Sequence, residues 1–148
     1  MNERRRIRMT ESEAQAFLEE EHTVICASLG PRGWPHLMPL WYVVRDGELW
    51  CWTYAKSQKV RNLERDPRAT LSVEAGETYA QLRGVMLECE VVFHRDPEVV
   101  LTFGTELAAR YPDPNDTPEV LRQMAAKRVA MQFVEHHRVT WDHRKLAG

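Results

Sequence analysis

No apolar run in this sequence approaches the ~20 residues that a bilayer-crossing helix needs, and the N-terminus lacks the apolar stretch of a signal peptide. There is no Cys-x-x-Cys pair. The three cysteines, Cys26, Cys51 and Cys89, each stand alone inside a strand-like apolar run, which reads as buried, reduced thiols in a cytoplasmic protein. A basic excess is missing too: 20 Lys and Arg against 22 Asp and Glu leave a formal charge of −2, which argues against a general nucleic-acid binder. The chain has no glycine-rich dinucleotide fingerprint, no Gly-x-Ser-x-Gly elbow, and no His-x-x-x-His, His-Glu-x-x-His or cysteine partner at metal-ligand spacing. Those absences count against a doubly wound nucleotide fold, hydrolase chemistry and a zinc site. Internal repeats and low-complexity segments are absent.

The 148 residues that are present, 43% of them hydrophobic, suffice for one domain with a sizeable core. Arg4, Arg5, Arg6 and Arg8 crowd the start. Residues 1–9 are therefore expected to be a flexible basic arm, solvated or gripping an anionic ligand or tail, ahead of a single domain over 10–148.

Thr10-Glu-Ser-Glu13 has the pattern of a capping box, and Ala14, Phe17 and Leu18 then mark one apolar helix face running to about Glu21. From Thr23 the period changes to that of a strand, and Gly30-Pro-Arg-Gly33 supplies hairpin turn chemistry. The return strand spans about Trp34 to Arg45, with Pro35 and Pro39 demanding an edge position or a bulge. Asp46-Gly47 is a two-residue hairpin signal leading into Glu48–Tyr54. A short helix follows to Asp66-Pro67, then strands over about Ala69–Glu74 and Tyr79–His94. Asp96-Pro97 opens a helix whose expected buried face is Val100, Leu101, Leu107 and Ala108. After a polar, proline-rich loop, Thr117-Pro118 caps a second helix to about Ala126, and a last strand runs from near Arg128 through Trp141. Successive hairpins in this number give a mainly β (α+β) chain: an antiparallel sheet closing on itself as a small barrel, with helices outside.

Two places can carry chemistry. Ser57 stands where an N-cap belongs, and the amides after it form the positive end of a helix dipole ringed by Lys56, Lys59 and Arg61. Such an end is a ready phosphate site; the same lysines also read as a solvated basic turn. Just upstream, Trp41, Tyr42, Trp50, Trp52 and Tyr54 crowd one hairpin. They read as core or subunit interface, or as walls for a flat aromatic ligand, and a site between subunits would satisfy both. His36 is either an exposed histidine near a turn or a proton donor facing a substrate. No nucleophile–base pair accompanies these groups, which suits chemistry supplied by a bound cofactor.

Pro-His-Leu-Met-Pro-Leu-Trp-Tyr (35–42), Asp-Gly-Glu-Leu-Trp-Cys-Trp-Thr (46–53) and Lys-Ser-Gln-Lys-Val-Arg-Asn-Leu-Glu-Arg-Asp-Pro (56–67), taken in order, resemble the pyridoxamine-phosphate-oxidase-like flavin-binding split barrels. The likeness continues through Arg83-Gly-Val-Met-Leu-Glu88 to Trp-Asp-His-Arg-Lys-Leu (141–146). That ending, with the short chain, is similar to the branch that uses the deazaflavin coenzyme F-420. The resemblance implies a six-stranded antiparallel split β-barrel with peripheral helices, and an obligate homodimer with cofactor sites in the clefts between subunits. Ser57, Gln58 and Lys59 match the phosphate-binding turn, with Lys56 beside it and Asn62 as a further contact. Pro39, Leu40 and Trp41 match the strand whose backbone lies along the ring system, and Trp52 and Thr53 the strand that follows. Gln58 stands where members binding flavin mononucleotide (FMN) often carry arginine, so the choice between FMN and the deazaflavin stays open. The implied activity is hydride transfer from reduced coenzyme F-420 to a small conjugated molecule. The alternatives are an FMN oxidoreductase in the same cleft and a non-catalytic flavin or deazaflavin carrier. The substrate-binding residues of the true oxidase have no counterpart here.

Overall fold

Thr10 caps the first long helix as its sequence requires. Its hydroxyl accepts the Glu13 amide at 3.1 Å, while the Glu13 carboxylate accepts the Thr10 amide at 2.9 Å. In a computed structural model that describes residues 2–147, this helix is α2 (Glu11–Glu20), preceded by a one-turn α1 (Glu3–Arg6). Next come β1 (Val24–Leu29), β2 (Pro35–Leu40), β3 (Val43–Arg45), β4 (Glu48–Tyr54), α3 (Gln58–Arg65), β5 (Arg68–Ala75) and β6 (Arg83–His94). The order ends with α4 (Pro97–Arg110), α5 (Pro118–Ala125) and β7 (Arg128–Asp142), and single 3-10 turns occupy Tyr79–Gln81 and His143–Leu146.

All strand pairings are antiparallel, in the order β2-β1-β5-β6-β7-β4-β3. The two end strands, β2 and β3, are separated in sequence only by Trp41 and Tyr42, so the chain itself joins the open edges and closes the split barrel. Pro35 and Pro39 sit in β2, which pairs only with β1, and their missing donors cost no ladder bond on the far side.

The sheet has seven strands where the resemblance implied six. The run expected as one strand from Trp34 to Arg45 breaks at Trp41-Tyr42, where side chains at the C-terminal end of α4, Arg110 and the C-cap Tyr111, take its backbone groups. The Tyr42 amide donates to Tyr111 Oη at 3.2 Å, and the Tyr42 carbonyl accepts from Arg110 Nη1 and from Tyr111 Oη. With its backbone groups satisfied there, Tyr42 has no need of a ladder partner. The Tyr42 hydroxyl in turn donates toward the carbonyls that end α2, Leu18 O and Glu21 O. Arg110 Nη2 reaches Leu18, Glu19 and Glu21 carbonyls as well, so one guanidinium caps α2 and fixes the barrel corner.

Alternation in the strands sets two apolar layers. Inward-facing Val24, Cys26, Leu49, Cys51, Leu71, Val85, Leu87, Met131 and Phe133 fill the barrel, closed by Phe17 and Leu18 of α2. Outside β4 and β7, Val100, Phe103 and Leu107 of α4 pack with Ala130 on Trp50 and Trp52. The buried stripe of α4 is Val100, Phe103, Gly104 and Leu107, so Leu101 and Ala108 lie at its margin rather than at its centre. Gly104 is needed there: a Cβ would stand 2.6 Å from Trp52 Cη2 and closer still to Cζ3.

Residues 2–9, expected as a flexible arm, run beside the end of β7. The Asp142 amide donates to Ile7 O at 2.7 Å and the Met9 amide to Thr140 Oγ1 at 3.0 Å, with Met9 buried. No helix of the described residues is long and apolar enough to cross a membrane.

Candidate functional site

The barrel corner and the end of β4 enclose a cleft of about 450 Å³, within the range of small-molecule sites. Pro39, Leu40 and Trp41 form one wall, and Trp52, Thr53 and Tyr54 the other. Leu107 of α4, Arg128 at the start of β7 and Thr23 complete it. Trp41 is 54% exposed yet held: its ring stacks on Tyr111 with centroids 4.4 Å apart and planes 5° from parallel. The clasp made by Arg110 and Tyr111 thus fixes a large aromatic surface at the mouth of the cleft.

The aromatic hairpin divides by face. Trp50 lies between His94, at 4.7 Å, and the Arg45 guanidinium, at 4.3 Å, and belongs to the layer under α4. Trp52 serves both sides, edge-on to Phe103 at 6.3 Å and lining the cleft. Tyr54, 55% exposed, and Trp41 present their rings to it.

At the inner side of β4 stands Lys59. It is 6% exposed, its Nζ donates to Thr53 Oγ1 at 3.2 Å, and among the described residues no carboxylate lies within ion-pair distance. Burial lowers its pKa from the ordinary lysine value, against a smaller opposing influence of the Cys26 and Cys51 thiols. The same burial pushes the Cys26 thiol up to about 11 and Cys51 well above its usual value. Lys59 does not line the cleft itself; it reaches the cleft wall from the barrel side, through Thr53, without a carboxylate partner.

The rest of the turn does different work. Ser57 is the N-cap of α3, its Oγ accepting the Val60 amide at 3.3 Å. Lys56, Gln58 and Arg61 are exposed, so the basic residues do not converge on one point. Gln58 Nε2 donates to Asn62 Oδ1 at 2.8 Å, and Asn62 Nδ2 donates to Ser28 Oγ at 3.1 Å. Asn62 is fully buried; its side chain ties α3 to β1 and does not line the cleft. His36 is half-buried, and its Nδ1 is shielded without a hydrogen-bond partner.

Residues 10–138 match the family model described as pyridoxamine 5'-phosphate oxidase. The chain belongs to the pyridoxamine 5'-phosphate oxidase family. No curated protein matches it. Among solved structures, this family member is similar to a conserved hypothetical protein from Mycobacterium tuberculosis. The two are 40% identical with a TM-score of 0.90, over 100% of this chain and 94% of the other. An F-420 reductase shares the fold at 23% identity and TM-score 0.72, over 88% of this chain and 98% of that one. A haem storage protein from Vibrio cholerae shares it at 16% identity and TM-score 0.69, over 88% and 94%.

Within the oxidase-family fold, Pro39, Leu40, Trp41, Trp52 and Thr53 come together in one cleft, whereas Lys59 lies outside its lining and bonds Thr53 from the barrel side. A larger groove of about 1180 Å³, between residues 4–18 and β7, contains none of the expected site residues. Thr23, Leu107 and Arg128 of the cleft lining, and Tyr111 beneath Trp41, are the residues that sequence reasoning missed. For Tyr54 a signal existed, since it continues the Trp50, Trp52 alternation. Arg128 becomes visible only from the β4–β7 register, which sets it opposite Tyr54.

Proposed function

We propose that this protein is a deazaflavin-dependent oxidoreductase, transferring hydride from reduced coenzyme F-420 to a small conjugated organic substrate. One observation carries the reading: a cleft walled by Trp41, Trp52 and Tyr54, whose Thr53 is held from the barrel side by a buried, carboxylate-free Lys59. A flat ring system with a phosphate-bearing side chain matches those two features, and the F-420 reductase whose fold it shares adds weight. The deazaflavin supplies the hydride. The protein's own residues hold and orient: Lys59 and the α3 N-terminus take the phosphate, with Ser57 fixing the turn and Lys56 at its rim. The Pro39–Trp41 backbone and the Trp52 ring line the planar part, and the closed barrel behind Thr53 keeps water from its inner edge. Gln58, bonded to Asn62, adds no charge.

The second reading is an FMN oxidoreductase or a flavin carrier in the same cleft, favoured by a FAD-binding protein from Mesorhizobium loti with the same fold at 14% identity. Both readings call for a homodimer. Trp34, Leu37, Met38 and Trp41 leave apolar surface open on both sides of the edge strand β2, and a second copy would cover it and complete the cleft. The buried thiols suit a reducing, cytoplasmic setting.

Absorbance titration with coenzyme F-420 and FMN tests the reading, followed by turnover of a quinone or enone with the reduced cofactor. Saturable binding of the deazaflavin with turnover is expected. If neither cofactor binds below ~100 μM, a free energy of about −5.5 kcal/mol, the redox reading fails. Light scattering giving a monomer mass would remove the shared cleft.

A further inference from the structure

Most of the partnered arginines on this protein's surface are answered by a carboxylate: Arg45 by Glu106, Arg68 by Asp66, Arg83 by Glu20, Arg95 by Glu64, Arg138 by Glu135 and Arg144 by Asp142. Arg110 directs its donors at carbonyls. Arg128, like Arg110, donates to a carbonyl, but through a single hydrogen bond. It is half-buried in the wall of the cleft, and among the described residues no carboxylate reaches it. Its one side-chain hydrogen bond runs from Nη1 to Met124 O, at 3.0 Å, near the end of α5.

Its position is fixed all the same. Tyr54 is its cross-strand partner, and the guanidinium carbon lies 4.2 Å from the Tyr54 ring centroid and 5.1 Å from that of Trp52. Those distances are cation–π contacts with both rings, and such contacts use none of the guanidinium N–H groups. Four of the five donors therefore have no protein acceptor among the described residues. A cation held over two rings with most of its N–H groups unanswered is preorganised for a carboxylate or phosphate.

The two cations of the site also stand apart. Side chains alternate along β4, so Thr53, which receives Lys59, points to the barrel interior, while Trp52 and Tyr54, under Arg128, point outward. One anionic group on Lys59 leaves Arg128 for another.

We infer that Arg128 recognises an anionic oxygen group, carboxylate or phosphate, on a planar conjugated ligand lying at the Tyr54 end of the cleft. Taking Lys59 as the cofactor-phosphate site, which rests on the redox reading above, the second anion belongs to the substrate, and the substrate class is a conjugated carboxylate.

Calorimetry on the intact protein tests this with two pairs of probes differing only in the anion: trans-cinnamate against trans-cinnamamide, and FMN against riboflavin. The wild type is expected to prefer cinnamate by about tenfold or more, the scale of a charge-assisted hydrogen bond. Arg128→Met, which keeps the stem over the rings, should abolish that preference while leaving cinnamamide affinity within about twofold. The conserved cinnamamide affinity separates recognition from damage to the wall. Arg128→Lys, which keeps the charge, should retain a reduced preference and serves if the methionine variant does not fold. If Arg128→Met instead collapses the FMN-to-riboflavin ratio, anion recognition stands and the anion is the cofactor's. Equal affinities for cinnamate and cinnamamide in the wild type, or a preference that survives Arg128→Met with the flavin ratio unchanged, overturns the inference. The cinnamate pair needs no cofactor, so its outcome is independent of whether F-420 or FMN binds.

Discussion

Replacing Lys59 by methionine should separate binding from folding, because the two effects have opposite signs. The ammonium is 6% exposed and has a single hydrogen bond, to Thr53 Oγ1. An ionised group desolvated without a counter-ion opposes folding. Methionine fills similar space without that cost, so the ligand-free variant should melt at or above the wild-type temperature. Ligand binding should move the other way. Losing a charge-assisted phosphate contact costs about 1.5–3 kcal/mol, or roughly 12- to 150-fold in affinity. At a ligand concentration 100 times the wild-type Kd, binding stabilises the wild type by about 2.7 kcal/mol. The same concentration would stabilise the variant by only about 0.3–1.3 kcal/mol. For a chain of this length the melting shift should fall from about 5–11 °C to about 1–5 °C. Differential scanning fluorimetry with and without FMN or coenzyme F-420 reads both numbers. An undiminished ligand shift would move the phosphate elsewhere, and a ligand-free variant that melts several degrees lower would make Lys59 a structural residue. The pH dependence follows from the lowered pKa. Between that value and the unfolded value of about 10.4, the unfolded chain binds more protons, so the contribution of this group to ligand-free stability rises with pH across the window. Lys59→Met should flatten that rise.

Gly104→Ala should destabilise by about 1–2 kcal/mol despite alanine's better helix propensity, because the new Cβ displaces Trp52; urea melts and the near-ultraviolet tryptophan signal report both effects. An unchanged spectrum and stability would mean that α4 shifts freely away from β4. Arg110→Met should cost about 2–3 kcal/mol, since the carbonyls at the end of α2 and at Tyr42 lose a charged donor; loss of the Trp41–Tyr111 stack should appear in the same spectrum. The Cys26 and Cys89 thiols, pushed up to about 11 and about 12, stay protonated at pH 8. Ellman's reagent should therefore react with all three cysteines only after denaturation, and rapid modification of any native thiol would contradict their burial.

What was legible in the sequence is what short-range chemistry decides. The capping box at Thr10, the Asp46-Gly47 turn, the Asp96-Pro97 helix start and the strand alternation around Cys89 all depend on neighbours within four residues. The break at Trp41-Tyr42 does not. Nothing local ends that strand; the acceptors and donors that draw Tyr42 out of the ladder come from residues 110 and 111. Asn62 shows the same limit from the other side. The family resemblance implied a ligand contact for it, yet its amide is taken by Ser28, 34 positions earlier. The cleft was anticipated through its aromatic strand ends, whereas Arg128 depended on a pairing register between strands separated by more than seventy residues.

That pairing also orders events during synthesis. β4 has as partners only the three residues of β3 and the strand β7, whose residues 128–142 emerge from the ribosome long after residue 54. Until then Trp50, Trp52 and Tyr54 sit on a two-strand hairpin with a free edge, too small to persist by itself in water. The nascent chain therefore carries its most aromatic segment unprotected for the longest time. A chaperone that binds short apolar strands would find its target in residues 48–54, and would be released when β7 completes the wall on which the cleft depends.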